Sequence, residues 1–216
     1  MQLLVIQRIL GLLLVIFSST LLPPIGIELY FQDGSVLPFV EAFMLTLIIG
    51  ILLYLPVKNY KKELKLRDGF LVVVLFWTVL GIFGGLPFYL SETPNLSITD
   101  SVFESISGLT TTGATVIVGL DQLPHSLLFY RQQIQWLGGM GIIVLAVAVL
   151  PMLGIGGMQL FRAETPGPVK DNKLTPRITE TAKALWFIYL GLTVACSIAY
   201  WVAGMNFFDA VAHAFS

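Results

Sequence analysis

Five long runs of apolar side chains dominate the chain, and short polar segments separate them. The runs cover about residues 3–22, 36–57, 69–90, 126–157 and 182–205. About 20 apolar residues suffice for a helix to cross the hydrocarbon core of a bilayer, so each run predicts a transmembrane helix. We interpret the first run as a retained helix rather than a cleaved secretory signal, because Arg8 lies inside it and no small-residue cleavage site precedes Pro23.

The composition of the 216 residues agrees with this pattern. Apolar residues make up 56% of the chain, charged residues 12%, and the mean hydropathy is +0.85, whereas soluble domains carry about 25% charged residues. A soluble fold of this size is therefore excluded. The net charge of −1 argues against a nucleic-acid-binding protein. The single cysteine, Cys196, excludes an internal disulfide and a cysteine-based metal site.

Basic residues predict the orientation of the helices. Ten of the twelve lie after the second run or after the fourth: Lys58, Lys61, Lys62, Lys65, Arg67, Arg162, Lys170, Lys173, Arg177 and Lys183. The connections 23–35, 91–100 and 115–125 contain neither Lys nor Arg. By the positive-inside rule, loops 58–68 and 158–177 are cytoplasmic, and so is the N-terminus.

This orientation constrains the stretch between the third and fourth helices, which has to begin and end outside. Residues 99–113 are too short and too polar to cross the membrane. A half-helix over 100–109 that dips in and returns as irregular chain fits both the length and the charge rule. Such backbone is tolerated at membrane depth only where protein buries it or where it lines water, so the sequence predicts a re-entrant pore loop.

A shift of 109 positions reveals an internal repeat. It aligns Trp77 with Trp186 and Asp100 with Asp209, each pair in the same predicted context. The first complete helix–pore loop–helix unit is then 69–157. A second unit occupies 178–216, with its half-helix starting at about Phe207, and the chain stops inside that half-helix.

The segment after the first half-helix, residues 110–115, is the candidate ion site. Cation filters coordinate ions through backbone carbonyls, which requires unusual dihedral angles. Gly113 permits such angles, and the negative C-terminal end of the half-helix favours a cation. The threonines could add hydroxyl ligands or brace the loop. On spacing alone, an ordinary turn between two helices remains an open alternative.

Two charged residues in these membrane segments are candidates for a structural ion pair. Intramembrane ionisable residues are costly and usually paired, so Arg131 and Glu104 are predicted to hold the pore loop together. Single charge reversals should then impair assembly, and exchange of the two residues should restore it. The alternative is that Arg131 extends to the outer interface or binds loop carbonyls.

The run 126–157 would be about 48 Å long as a helix, and a bilayer core is about 30 Å thick. Gly154, Gly156 and Gly157 near its end are candidates for a gating hinge, because glycines can break a helix. A tilted, closely packed helix is the alternative.

Residues 110–115, together with Arg131-Gln-Gln-Ile-Gln-Trp-Leu-Gly-Gly-Met-Gly-Ile, resemble the Trk/Ktr/HKT superfamily of potassium transporters. The resemblance covers essentially the whole chain. It implies an all-α polytopic membrane protein of potassium-channel-like helix–re-entrant pore loop–helix repeats, with 1–57 as two additional N-terminal helices. The implied function is potassium uptake across the bacterial inner membrane, with K⁺ as the transported ion, no covalent cofactor and no enzymatic activity.

The resemblance also implies ligands and partners. The filter ligands are backbone carbonyls of Thr110, Thr111, Thr112 and Gly113, with Thr111 and Thr112 favoured. The implied partners, besides membrane lipid, are a cytoplasmic nucleotide-binding regulatory subunit of the TrkA type and a second copy in a homodimer. Since each repeat supplies one of four filter strands, a chain with one strand is expected not to conduct by itself.

Two other classes of protein compete with a pore. An intramembrane enzyme would also use re-entrant elements, but neither Ser105 nor Ser107 has an evident base, since His125 is predicted on an exterior loop and His213 lies in the next repeat. No protease or esterase motif is present. A non-conducting membrane scaffold is the third class.

Overall fold

The computed structural model describes residues 2–60, 66–144 and 174–216, and every regular element within these ranges is helical. The chain divides into two compact units, Met1–Gln135 and Trp136–Ser216. The helices are α1 (Leu3–Ser19), α2 (Leu22–Phe31), α3 (Leu37–Tyr54), α4 (Leu66–Gly84), α5 (Leu86–Leu90), α6 (Ile98–Leu109), α7 (His125–Val144), α8 (Leu174–Val202) and α9 (Phe207–Phe215). Short 3₁₀ turns occupy Leu55–Val57 and Leu120–Gln122.

Four helical segments in the described ranges are long and apolar enough to cross a membrane: Leu3–Phe31, Leu37–Val57, Asp68–Leu90 and Lys183–Val202. They correspond to the first, second, third and fifth predicted helices, and the chain is an all-helical polytopic membrane protein. The fourth predicted helix is present as α7 up to Val144. Its remainder, including the hinge candidates Gly154, Gly156 and Gly157, lies outside the described residues.

Two helices begin before the ends of the connections that the sequence predicts. Helix α4 begins at Leu66, so Arg67 and Asp68 belong to the helix and not to the basic loop 58–68. Asp68 in the first turn interacts favourably with the positive end of the helix dipole. Helix α8 begins at Leu174, inside the predicted loop 158–177. Its first turn contains Pro176, a position where proline is tolerated because no hydrogen bond is lost.

Two glycines bring α1 and α3 into close contact. A Cβ on Gly11 would lie 2.6 Å from the backbone nitrogen of Tyr54, and a Cβ on Gly50 would lie 2.9 Å from that of Val15. Contacts this short leave room for hydrogen only. The N-terminal helix pair therefore packs backbone against backbone, as small residues allow in membranes.

The half-helix α6 packs against α4 and α5, and a glycine again allows a close approach. A Cβ on Gly84 of α4 would overlap Ser105 Oγ of α6. Beside this contact, the fully buried Tyr130 of α7 donates a hydrogen bond from its hydroxyl to the Gly84 carbonyl at 2.8 Å. The close fit places the half-helix, and the segment after it, at a defined position in the first unit.

Candidate functional site

Both half-helices begin with the same capping arrangement. At α6, the Asp100 amide donates to Ser97 Oγ at 3.2 Å. At α9, the Asp209 amide donates to Asn206 Oδ1 at 2.8 Å. Each aspartate side chain also accepts a hydrogen bond from the side chain of its capping residue, so the same pair of contacts recurs at both helix starts. Asn206 lies 109 positions after Ser97, so the two half-helices start in the register that the sequence repeat predicts.

The C-terminal end of α6 is a Schellman motif with a threonine in the position usually taken by glycine. The Thr112 amide donates to the Ser107 carbonyl at 2.9 Å, and the Thr111 amide donates to the Gly108 carbonyl at 2.8 Å. The motif requires left-handed backbone at the residue after the helix cap, and Thr111 takes that position with φ +56°. A β-branched residue at positive φ is uncommon.

Helix α8 ends in the same motif with its usual residue. The Met205 amide donates to the Tyr200 carbonyl at 3.1 Å, and the left-handed position is Gly204, with φ +102°. An L-residue in this conformation costs about 1–2 kcal/mol relative to right-handed backbone. Thr111 therefore carries backbone strain that Gly204 avoids, and such strain is typical of functional sites.

The threonine hydroxyls brace this turn. Thr110 Oγ1 donates to the Ile106 carbonyl at 2.8 Å and lies 2.8 Å from Thr112 Oγ1. Thr111 Oγ1 donates to the Thr110 carbonyl at 2.7 Å. All three hydroxyls thus serve the loop itself, which is the second of the two roles that the sequence left open.

Three consecutive backbone carbonyl oxygens of this segment remain available to contact a ligand. Within the described ranges, no hydrogen bond reaches the carbonyls of Thr111, Thr112 and Gly113, and these residues are exposed. Gly113 has φ +73°, so left-handed backbone recurs two residues after Thr111. The carbonyls on either side of this row are engaged: Thr110 accepts from the Thr111 hydroxyl, and Ala114 accepts from Ser107 Oγ at 2.6 Å.

Glu104 of α6 holds the returning chain in place. Its Oε1 accepts from the Val116 amide and from Thr115 Oγ1, each at 2.6 Å. Its Oε2 lies 3.2 Å from Arg131 Nε of α7. The Glu104 side chain is 1% exposed and that of Arg131 18%. The structure thus brings together the two residues predicted to pair and adds two partners from the returning chain.

A second polar contact joins the loop after α2 to the start of α7. His125, the first residue of α7 rather than a loop residue, stacks on the ring of Phe31 at a centroid distance of 4.0 Å. Its ring Nδ1 and its backbone amide both contact the carboxylate of Asp33. Burial by itself would raise the pKa of Asp33, but the hydrogen bonds and charge of His125 outweigh it and lower the pKa below its ordinary value of 3.8.

This contact predicts a stability that depends on pH. Because the pKa of Asp33 is lower in the folded state, its stabilisation should be present above about pH 4 and should be lost as the pH falls further. Asp33→Asn should lower the melting temperature of the detergent-solubilised protein at pH 7, and the difference should shrink at acidic pH. The exposed Asp121 provides a control, Asp121→Asn. A difference that stays constant across the pH range would contradict the assignment.

Sequence reasoning missed two residues of this site. Ser107 was considered only as a nucleophile, whereas its hydroxyl donates to a loop carbonyl. Thr115 was part of the motif without a role of its own, and it binds Glu104. Neither contact has a signal in the sequence, because both depend on how the chain turns after Leu109.

Three comparisons with known proteins bear on this site. Residues 37–216 match a family model described as TrkH, a cation transport protein. The "Trk system potassium uptake protein TrkH" of Vibrio parahaemolyticus is 63% identical over 216 residues, which are 100% of this chain and 44% of that protein. The protein of the same name from Escherichia coli K12 is 62% identical over 98% of this chain, also covering 44% of its length.

A solved structure agrees with these relatives. The crystal structure of the potassium transporter TrkH from Vibrio parahaemolyticus superimposes with a TM-score of 0.85 and 57% identity, and it covers 100% of this chain and 42% of its own. The chain thus spans less than half the length of the relatives that it matches.

Proposed function

This chain belongs to the TrkH family of cation transport proteins, and on that premise we propose that it contributes the first filter strand of a potassium uptake pore. The observation that carries the proposal is the row of three hydrogen-bond-free carbonyls at Thr111, Thr112 and Gly113. Carbonyl oxygens in such a row can replace the water shell of a cation. The strain at Thr111 and the positive φ of Gly113 are the backbone conditions for that arrangement.

The electrostatic setting also supports a cation. The row follows the C-terminal end of α6, where the helix dipole is negative. The row is one strand, and the family resemblance implies a ring of four. Because the chain spans 44% of its relatives' length, we expect the 216 residues by themselves not to conduct.

The remaining parts of the proposal concern orientation and partners. The charges of the two basic loops support a cytoplasmic N-terminus in a bacterial inner-membrane protein. The relatives' names describe part of a Trk system, which supports a cytoplasmic nucleotide-binding subunit of the TrkA type as a partner. The family resemblance further implies a homodimer. Glu104 and Arg131 serve as the structural pair that holds the loop.

Rubidium uptake tests this function. A chain of full TrkH length that begins with these 216 residues should restore ⁸⁶Rb⁺ uptake in a bacterial host that lacks its own potassium transporters. Potassium should compete with rubidium, and sodium should compete poorly. The 216-residue chain by itself serves as the second sample and should give no uptake. Absence of uptake by the full-length chain, at normal membrane abundance, would overturn the proposal.

A further inference from the structure

Ser107 makes three hydrogen bonds to the loop that follows α6. Its carbonyl accepts hydrogen bonds from the amides of Thr112, at 2.9 Å, and Gly113, at 3.4 Å. Its hydroxyl donates to the Ala114 carbonyl at 2.6 Å. Ser107 is 5% exposed, so its own ends of these bonds are buried, whereas the loop residues that it contacts are exposed. One buried residue of α6 thus holds three consecutive loop residues.

The two kinds of contact have different consequences. The backbone bonds orient the amides of Thr112 and Gly113 toward the helix. The hydroxyl bond turns the Ala114 carbonyl toward the helix as well, so that the row of free carbonyls ends at Gly113. Without the hydroxyl, the Ala114 carbonyl would lose its donor and would be free to turn outward.

We propose that Ser107 is a positioning residue that ends the row of ion-coordinating carbonyls at Gly113 and thereby sets the preference for potassium over sodium. The inference rests on the proposed pore function and names a determinant of its selectivity. The number and field strength of coordinating carbonyls affect how well a site distinguishes potassium from sodium. A fourth, mobile carbonyl at Ala114 would blur that distinction.

A substitution can separate the two contacts. Ser107→Ala removes the hydroxyl bond and leaves the carbonyl of residue 107 to accept from Thr112 and Gly113. The turn at the end of α6 should therefore persist. Ser105, two residues earlier, provides a matched control: it is fully buried on the same half-helix, and its hydroxyl has no hydrogen-bond partner among the described residues.

The test measures ⁸⁶Rb⁺ uptake and its inhibition by sodium in the full-length chain. Ser107→Ala should lower the rubidium-to-sodium preference by at most about tenfold, because the contribution of one hydrogen bond sets an upper bound on the change. Ser107→Thr, which keeps a hydroxyl, should restore most of the preference, and Ser105→Ala should leave it unchanged. Membrane abundance and melting temperature should stay close to those of the unsubstituted protein.

Several outcomes would overturn the inference. An unchanged preference in Ser107→Ala would do so, and so would an equal loss in Ser105→Ala, which would indicate general packing of the half-helix. If Ser107→Ala fails to assemble, Ser107→Cys takes its place, because a thiol is a weaker donor than a hydroxyl. Ser107→Cys should lower the rubidium-to-sodium preference less than the loss of the hydroxyl would. An unchanged preference in this variant would contradict the inference. Failure of the pore function itself is recognised separately, because the unsubstituted chain would then carry no rubidium.

Discussion

Replacing Gly113 by alanine is expected to lower ⁸⁶Rb⁺ uptake by the full-length chain about 5–30-fold while the protein still assembles. Gly113 has φ +73°, and an L-residue there costs about 1–2 kcal/mol. No atom lies within 4 Å of the position that a Cβ would occupy, so the cost comes from the backbone and not from a clash. To relieve it, the backbone would turn and take the carbonyls of Thr112 and Gly113 out of the row.

Gly119 offers a control with the same strain at a different place. Its φ is +76°, and a Cβ there would meet only the Gln122 side chain, at 3.7 Å. It lies outside the row, so Gly119→Ala should lower the melting temperature by a similar amount and leave uptake almost unchanged. If both variants lose uptake equally, the effect reflects general destabilisation, and the assignment of Gly113 to the filter fails.

Removing Glu104 is expected to prevent stable assembly of the pore loop. Glu104→Ala leaves Arg131 without its partner and leaves the Val116 amide and the Thr115 hydroxyl without an acceptor. Breaking a buried ion pair on one side costs about 3–5 kcal/mol. That is a large share of the stability of a typical domain, about 5–15 kcal/mol. Melting temperature and monodispersity in detergent would report the loss.

Smaller changes nearby should destabilise the protein less than Glu104→Ala does. Thr115→Val removes one hydrogen bond and should cost about 1 kcal/mol. Glu92→Ala, at an exposed carboxylate, should have almost no effect on stability.

The contacts of Glu104 also revise the charge-exchange test that the sequence suggested. An arginine at position 104 could not accept from Val116 and Thr115, so exchanging Glu104 and Arg131 should not restore assembly. Full restoration would show that the ion pair alone matters.

The sequence predicted the half-helix at 100–109 and the structure has it at Ile98–Leu109, so its end was predicted correctly and its start was two residues late. The conformation of the chain after Leu109 could not be predicted. Ser97 and Asp100 form a cap within four residues, and local chemistry of this kind is visible in the sequence. The end of α6 depends on a positive φ at Thr111, a residue type that does not favour it. Only the surrounding contacts, including the bond from Ser107 to Ala114, stabilise that conformation.

The sequence by itself determined the membrane class and most of the helix pattern, and it predicted a repeat of 109 positions and an ion site at residues 110–115. These follow from apolar run lengths, charge placement and residue spacing, which reflect interactions with lipid or between neighbouring residues. The tertiary structure decided which groups of that segment are free. The threonine hydroxyls and the carbonyls of Thr110 and Ala114 are used within the loop, and the carbonyls from Thr111 to Gly113 are not. Hydrogen bonds that form where the chain turns back after α6 decide these roles, and the order of residues in the motif does not reveal them.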